Sequence, residues 1–303
     1  MMKRRPWFFL LLSISFMVVG AYLLWTELPL RTRPELAPAK FDGERAYQDI
    51  IRQTELGPRT PDSEAHAQVR IWMRTELEEA GWDVEVHNFE SLGHQGYNLI
   101  ASRGTSSPQI IFGAHYDSRI HADQDLDPHK RGQAVLGAND GASGVAALLE
   151  LARNIPQDSL PIWLVFFDLE DNGNLPGWDW ILGSRAFLQE YAPNPDAVII
   201  LDMIGDADLN IYLERNSTPK IREEIWSQAS MQGFEAYFIA NEKYSILDDH
   251  TPFLEAGIPA VDIIDFDYPY WHTTEDTLDK VSADSLQIVG DTILSWLEWK
   301  NKE

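Results

Sequence analysis

The sequence predicts an α/β protein: a central mixed, mostly parallel β-sheet flanked by helices, preceded by one membrane-spanning helix. Three observations carry this. Short continuous apolar runs at 162–167, 197–201 and 260–264 have the length of strands buried on both faces. Between such runs lie stretches with apolar residues at helical spacing, the alternation that builds α/β sheets. The third is an uncharged apolar run from Trp7 to about Trp25. At about 1.5 Å per residue it can cross a hydrocarbon core of about 30 Å.

The elements follow in chain order. Lys3, Arg4 and Arg5 precede the apolar run. They should stay in the cytoplasm and leave the rest of the chain outside, periplasmic or at the cell surface. A cleaved signal peptide is the competing reading, but the run is long and Thr26-Glu27-Leu28 makes a poor cleavage site. Residues 1–27 are thus expected to be an anchor. Residues 28–40, with three prolines, read as a linker. Residues 41–303 are expected to form one catalytic domain, because no Pro/Gly-rich linker interrupts them; two subdomains are the alternative. Within it, Glu64 to Ala80 reads as a helix stopped by Gly81, and Asp83 to Phe89 alternates like a strand. Tyr97 to Ala101 and Gln109 to Ala114 read as further strands. Ala142 to Arg153 and Ser282 to Trp299 read as helices.

Composition narrows function. Apolar residues make up 44%, enough for a sizeable core. The formal net charge of −24 argues against nucleic acid as a partner. With no cysteine, thiolate ligands and disulfides are excluded, so any metal site must use His, Asp and Glu. The Asn216-Ser217-Thr218 sequon reads as a chance match.

The strand ends carry the chemistry. His115, Asp140, Asp171, Asp202 and His272 each follow an apolar segment or end the loop after one. Open α/β sheets bind ligands outside the carboxyl ends of their strands. One such residue is usually a cap or turn former; five together are hard to read that way. Carboxylates gathered in one crevice need a proton or a cation among them. Oxygen donors with two imidazoles suit zinc or another first-row ion and disfavour calcium. Asp117 shares a face with His115 and reads either as an outer support for the ligands or as a strand-end turn residue. Of the adjacent acids Glu170 and Asp171, one can bind metal while the longer Glu moves protons.

At these residues the chain resembles the M28-type metallopeptidases, which include zinc aminopeptidases and the animal-type glutaminyl cyclases. The motifs are GAHYDS (113–118), GANDGASGVAALLELAR (137–153), FFDLED (166–171), GSRAF (183–187), LDMIGD (201–206), DDHTPFLEAGIPAV (248–261) and WHTTEDTLD (271–279). The resemblance implies the zinc aminopeptidase-like fold. For an aminopeptidase it implies two zincs: His115 and Asp202 on one, Asp171 and His272 on the other, Asp140 bridging. For a cyclase it implies one zinc on Asp140, Asp171 and His272. Glu170 is the general acid/base in both, with Asp202 and Asp248 beside it.

Trp271 before His272, the Asp248-Asp249-His250 run and Leu-Asp-Met-Ile-Gly at 201–205 lean towards the cyclase. The implied activity converts N-terminal Gln of a peptide to pyroglutamate with release of ammonia. Peptides or proteins with N-terminal Gln or Glu are the implied substrates, held by Trp271, Phe266, Trp178 and His115. A monomer is expected. The alternatives are a di-zinc aminopeptidase and, from another class, a non-catalytic membrane-tethered binding module. Two departures stand out. Asp171 replaces the family's Glu, and Leu247 stands where animal cyclases have a Gln.

Overall fold

A computed structural model describes residues 41–302 except Thr105. The expected N-terminal anchor lies outside these residues. Among them, no helix is long and apolar enough to cross a membrane.

The chain enters through α1 (Gly43–Glu55), where the Asp42 side chain accepts from the Arg45 amide, and α2 (Glu64–Glu79), capped by Ser63 through the His66 amide. Gly81 takes φ +82, its amide bonds to Glu78 O and the Trp82 amide reaches Leu77 O. This paired C-terminal closure ends α2 where the sequence predicts. Strands β1 (Asp83–Ser91), β2 (His94–Ser102) and β3 (Ile110–His115) follow, then α3 (Ala142–Asn154), β4 (Ile162–Phe167), α4 (Leu182–Tyr191) and β5 (Ala197–Asp202). The last third holds β6 (Ile211–Leu213), α5 (Pro219–Met231), β7 (Phe238–Glu242), α6 (Thr251–Glu255), β8 (Ala260–Ile264), a short 3-10 turn at Leu278–Lys280, and α7 (Ala283–Lys300) capped by Ser282.

The main sheet has the order β1-β2-β4-β3-β5-β8. β3 pairs in parallel with β4 and β5, and β5 with β8, while β2 meets β4 and β1 meets β2 antiparallel. The sheet is therefore mixed and mostly parallel, as the continuous apolar runs require. Alternate residues of β3 face opposite layers. Ile110, Phe112 and Ala114 join a core with α1, α3 and α7, and Ile111 joins one with Phe187 of α4 and Phe253 of α6. Both faces are covered, so each buried aliphatic side chain contributes about 1.5–3 kcal/mol of transfer free energy. Because the chain passes from β3 to β4 on one side and then to β5 on the other, its direction of progress reverses beside β3. A crevice opens at such a reversal, outside the carboxyl ends of the strands.

Candidate metal centre and its pocket

His115 is the last residue of β3 and Asp202 the last of β5. Asp140 lies just ahead of Gly141, the N-cap of α3, where no side chain caps the helix; its carboxylate is left for other work. Asp171 lies four residues past β4, after Leu169 turns the chain at φ +55. His272 itself sits at φ +55, a conformation costing about 1–3 kcal/mol in a non-glycine residue. The surrounding fold imposes it and aims the imidazole at Asp171.

The side chains converge. His115 Nε2 lies 3.1 Å from Asp140 Oδ1 and 3.2 Å from Asp202 Oδ1. His272 Nε2 lies 2.7 Å from Asp171 Oδ1 and 3.6 Å from Asp140 Oδ2. Two groups able to hold an ion result, His115–Asp140–Asp202 and Asp140–Asp171–His272, with ligand atoms inside 4.8 Å in each. Asp140 belongs to both, one oxygen towards each imidazole. Asp171, one methylene shorter than Glu, still reaches the cluster.

Asp117 is in neither group. Its Oδ1 accepts the Glu170 amide at 3.0 Å and its Oδ2 the Asp171 amide at 3.3 Å, while Oδ1 lies 3.6 Å from His115 Nδ1. It thus holds the acidic turn from outside both groups.

The centre fits a cation. Asp140 Oδ2, Asp171 Oδ2, His115 Nδ1 and His272 Nδ1 are buried with no hydrogen-bond partner, and orphaned buried oxygens are costly. Burial, and then the neighbouring Asp140 charge, pushes Asp171 up to about 6. Burial also pushes Asp202 up to about 7, against the pull of His115. Burial alone would raise Asp140 too, but His115 and then His272 hold it below its ordinary value. His115 shifts the other way: burial opposes its charge, and Asp117, Asp140 and Asp202 outweigh that and raise it well above the usual imidazole range. Without metal, the proton on His115 is the resident countercharge. A divalent ion among neutral imidazoles and ionised carboxylates supplies the same charge better, and the oxygen and nitrogen donors suit zinc.

Glu170 is buried but lies on the floor of the adjoining cleft, not in either ligand group. Burial raises it well above the carboxylate range; Asp171, Asp248 and Asp249 add to that and His115 opposes it. Asp248 lines the same cleft. Behind it, His250 lies between Glu214 at 3.5 Å and Asp262 at 3.8 Å.

The cleft above the floor has a volume of about 230 Å³, with Trp180, Tyr244, Leu247, Phe266 and Trp271 in its walls. Phe266 and Trp271 lie 5.3 Å apart, centroid to centroid. Two other pocket expectations need correction. Trp178 faces away, stacked on His94 at 3.5 Å and packed against Phe89, Leu169 and Leu182. Trp180 takes the place on the wall, its ring parallel to His272 at 5.9 Å. Room for it comes from Gly173, where a Cβ would stand 2.1 Å from the indole. His115 is no wall residue either: it is 2% exposed, enclosed by Asp117, Asp140 and Asp202.

Sequence reasoning chose Trp178 over Trp180 in the same loop, and missed Tyr244, Arg59 and Asp276. Asp276 lay inside a quoted motif, and its carboxylate accepts the Asn139 amide at 2.9 Å and the Asp140 amide at 3.1 Å. Arg59, in a proline-flanked turn, carried no signal, yet it is wholly buried. Desolvation lowers it only to about 10, with Asp276 and Asp140 opposing, so it stays a cation at neutral pH.

Residues 98–297 match the sequence pattern of peptidase family M28. The glutaminyl-peptide cyclotransferase of Gloydius blomhoffii is 27% identical, the alignment covering 86% of this chain and 85% of that one. The crystal structure of Tannerella forsythia glutaminyl cyclase superposes with a TM-score of 0.79 at 33% identity, over 85% of this chain and 98% of that one. A Zn-dependent exopeptidase from Parabacteroides distasonis superposes with a TM-score of 0.80 at 30% identity, over 87% and 99%.

Proposed function

The chain belongs to peptidase family M28, and on that premise we propose that it is a zinc-dependent glutaminyl-peptide cyclotransferase, converting N-terminal Gln of peptides to pyroglutamate. The observation that carries this is the placement of Glu170. It is a buried carboxyl of raised pKa, on the floor of an aromatic-walled cleft that also holds Asp140 and Asp171. Similarity to proteins named glutaminyl cyclase supports the same reading.

Asp140, Asp171 and His272 would hold the ion. When bound, zinc supplies Lewis-acid polarisation of the γ-carboxamide. The chain's own residues do the rest. Trp271, Phe266 and Trp180 exclude water and hold the Gln side chain with its amide towards the floor. That fixes the α-amine near its own carboxamide carbon, and positioning of this kind supplies much of a cyclisation rate. Glu170 takes a proton from the attacking amine and returns it to the departing ammonia. A carboxyl with raised pKa serves both directions of that transfer at neutral pH. Asp248 keeps Glu170 in that range by charge.

One observation favours a second reading. His115–Asp140–Asp202 forms another ligand group sharing Asp140, the arrangement a di-zinc aminopeptidase would use, and an exopeptidase is among the similar structures. The purified full chain should be given a Gln-initiated peptide and, separately, a chromogenic aminoacyl amide, with zinc counted per chain. Ammonia release with one zinc supports the cyclase; a freed amino acid with two zincs supports the aminopeptidase and sinks the cyclase.

We infer further that residues 1–27 anchor the protein, 28–40 link, and 41–303 act as a monomer outside the cytoplasmic membrane. The Lys3–Arg5 flank and the uncharged run after it support this. Release of the protein from washed membranes by high salt alone, without detergent, would contradict the anchor. Light scattering in detergent well above one chain's 34.5 kDa, after subtracting the micelle, would contradict the monomer.

A further inference from the structure

Arg59 is a fully buried arginine whose side-chain hydrogen bonds all go to main-chain carbonyls. Nε donates to Tyr116 O at 3.0 Å, Nη1 to Leu136 O at 2.8 Å, and Nη2 to Gly137 O at 2.7 Å and Asp140 O at 3.4 Å. Its own carbonyl accepts the Ser118 amide at 3.2 Å. It therefore grips two segments at once: Tyr116, between His115 and Asp117, and the 136–140 turn that presents Asp140.

The approach is close by construction. Gly137 and Gly141 both sit at positive φ, +69 and +86. A Cβ on Gly137 would stand 2.8 Å from Arg59 Nη2, and one on Gly141 would stand 3.1 Å from His115 Cε1. From the opposite side Asp276 takes the Asn139 and Asp140 amides, and the Tyr268 hydroxyl donates to Asp276 Oδ1 at 2.7 Å. The peptide units around Asp140 are thus held by the Arg59 guanidinium at their carbonyls and by the Asp276 carboxyl at their amides. A buried guanidinium is expensive to desolvate, and here no carboxylate partner shares a hydrogen bond with it. Packing alone would be served as well by Met or Leu.

We propose that Arg59, opposed by Asp276, is a positioning residue that sets where the Asp140 carboxylate stands between the imidazoles of His115 and His272, and thereby sets zinc affinity. The mechanism is geometric. Asp140 must offer one oxygen to each side of the centre, which a freely moving turn does not maintain. Supports of this kind are typically worth about 10–100-fold in metal affinity. The inference rests on the metal reading given above, but not on which reaction the centre catalyses.

The test measures zinc Kd by chelator competition on the full chain, with the thermal midpoint of the zinc-free protein recorded beside it. Wild-type protein that fails to bind zinc would refute the metal reading itself. If wild type binds, Arg59→Met should weaken zinc at least about tenfold and lower kcat at low zinc more than it raises KM. Arg59→Lys, keeping charge but losing the fork, should recover only part of the affinity. Should Arg59→Met not fold, Asp276→Asn carries the test: an amide oxygen accepts less strongly than a carboxylate, so zinc should again weaken while the fold survives. A lowered zinc-free midpoint with an unchanged zinc Kd in Arg59→Met, or in Asp276→Asn if that variant stands in, means a merely structural role and overturns the proposal.

Discussion

Two buried acid-rich regions of this molecule look alike in composition and differ in what balances them. Between α1, α2 and α3, Glu150 is fully buried, yet its carboxylate accepts Arg45 Nε at 2.6 Å, Arg45 Nη2 at 2.7 Å and the Asp42 amide at 3.1 Å. Arg153 joins it to Asp49 at 2.5 Å and Glu76 at 2.8 Å. Every acid there has an arginine. At the strand ends, by contrast, Asp140, Asp171 and Asp202 are met by imidazoles, and Asp140 and Asp171 each keep an oxygen without a partner. The nearby arginines reach main chain instead: Arg119 donates to Asp171 O at 2.7 Å and Arg59 to Asp140 O at 3.4 Å. Burial of charge is therefore not itself the mark of a site. The mark is burial with carboxylate oxygens and imidazole nitrogens left without hydrogen-bond partners.

The comparison can be broken first at Glu170. Glu170→Gln keeps the shape and removes the proton carrier, so kcat should fall by about 10²–10⁴, with zinc affinity and thermal midpoint near wild type. A variant as active as wild type would contradict every enzymatic reading. Next comes the arginine-balanced cluster. Glu150→Ala leaves Arg153 facing Asp49 and Glu76 and strips its remaining partner. It should cost about 3 kcal/mol of stability in denaturant unfolding, at the low end because Arg45 is half exposed and can return to water. Zinc Kd in the folded fraction should not change.

A third difference shows in pH. In the metal-free protein the folded-state values of Asp171, about 6, and Asp202, about 7, lie above their ordinary 3.8. Groups raised on folding favour the native state while protonated. Their contribution is fully present below the ordinary value and is lost as pH rises through 6 to 7. The thermal midpoint of chelated protein should therefore fall between about pH 4 and pH 7, and the rise produced by zinc should be larger at the upper end, where its ligands are deprotonated. A zinc-induced shift that shrinks as pH rises would contradict this. The smallest expected effect is at the wall. Trp180→Ala should raise KM by about tenfold or less, an energy of about 1 kcal/mol, whereas Trp178→Ala should leave KM unchanged.

Much of this was legible because strands buried on both faces write themselves as largely apolar runs, broken in β8 only by Asp262. β4 and β8 fall at the predicted residues, and β5 extends one residue further, to Asp202 itself. The five ligand candidates were legible because each follows an apolar segment or ends the loop after one. Other features had no comparable signal. Helix α5 mixes Lys220, Arg222, Glu223 and Glu224 into its first turns and shows no sharp apolar stripe. Trp178 and Trp180 differ only in which way an irregular loop turns them, and that depends on the missing side chain at Gly173, seven residues before Trp180. Arg59 acts on carbonyls, which every residue carries, so sequence cannot announce its partners. The carboxyl ends of strands are readable from pattern; the supports behind them depend on packing between segments far apart in the chain.

The central claim is that the strand-end centre closes an N-terminal Gln onto its own side chain. Mass spectrometry tests it directly, using the zinc-loaded full chain and a Gln-initiated peptide carrying heavy nitrogen only in the side-chain amide. The account predicts that the heavy nitrogen leaves as ammonia, every peptide bond stays intact, and Glu170→Gln stops the release. A peptide shortened by its first residue, with the heavy label still in the freed glutamine, would contradict it.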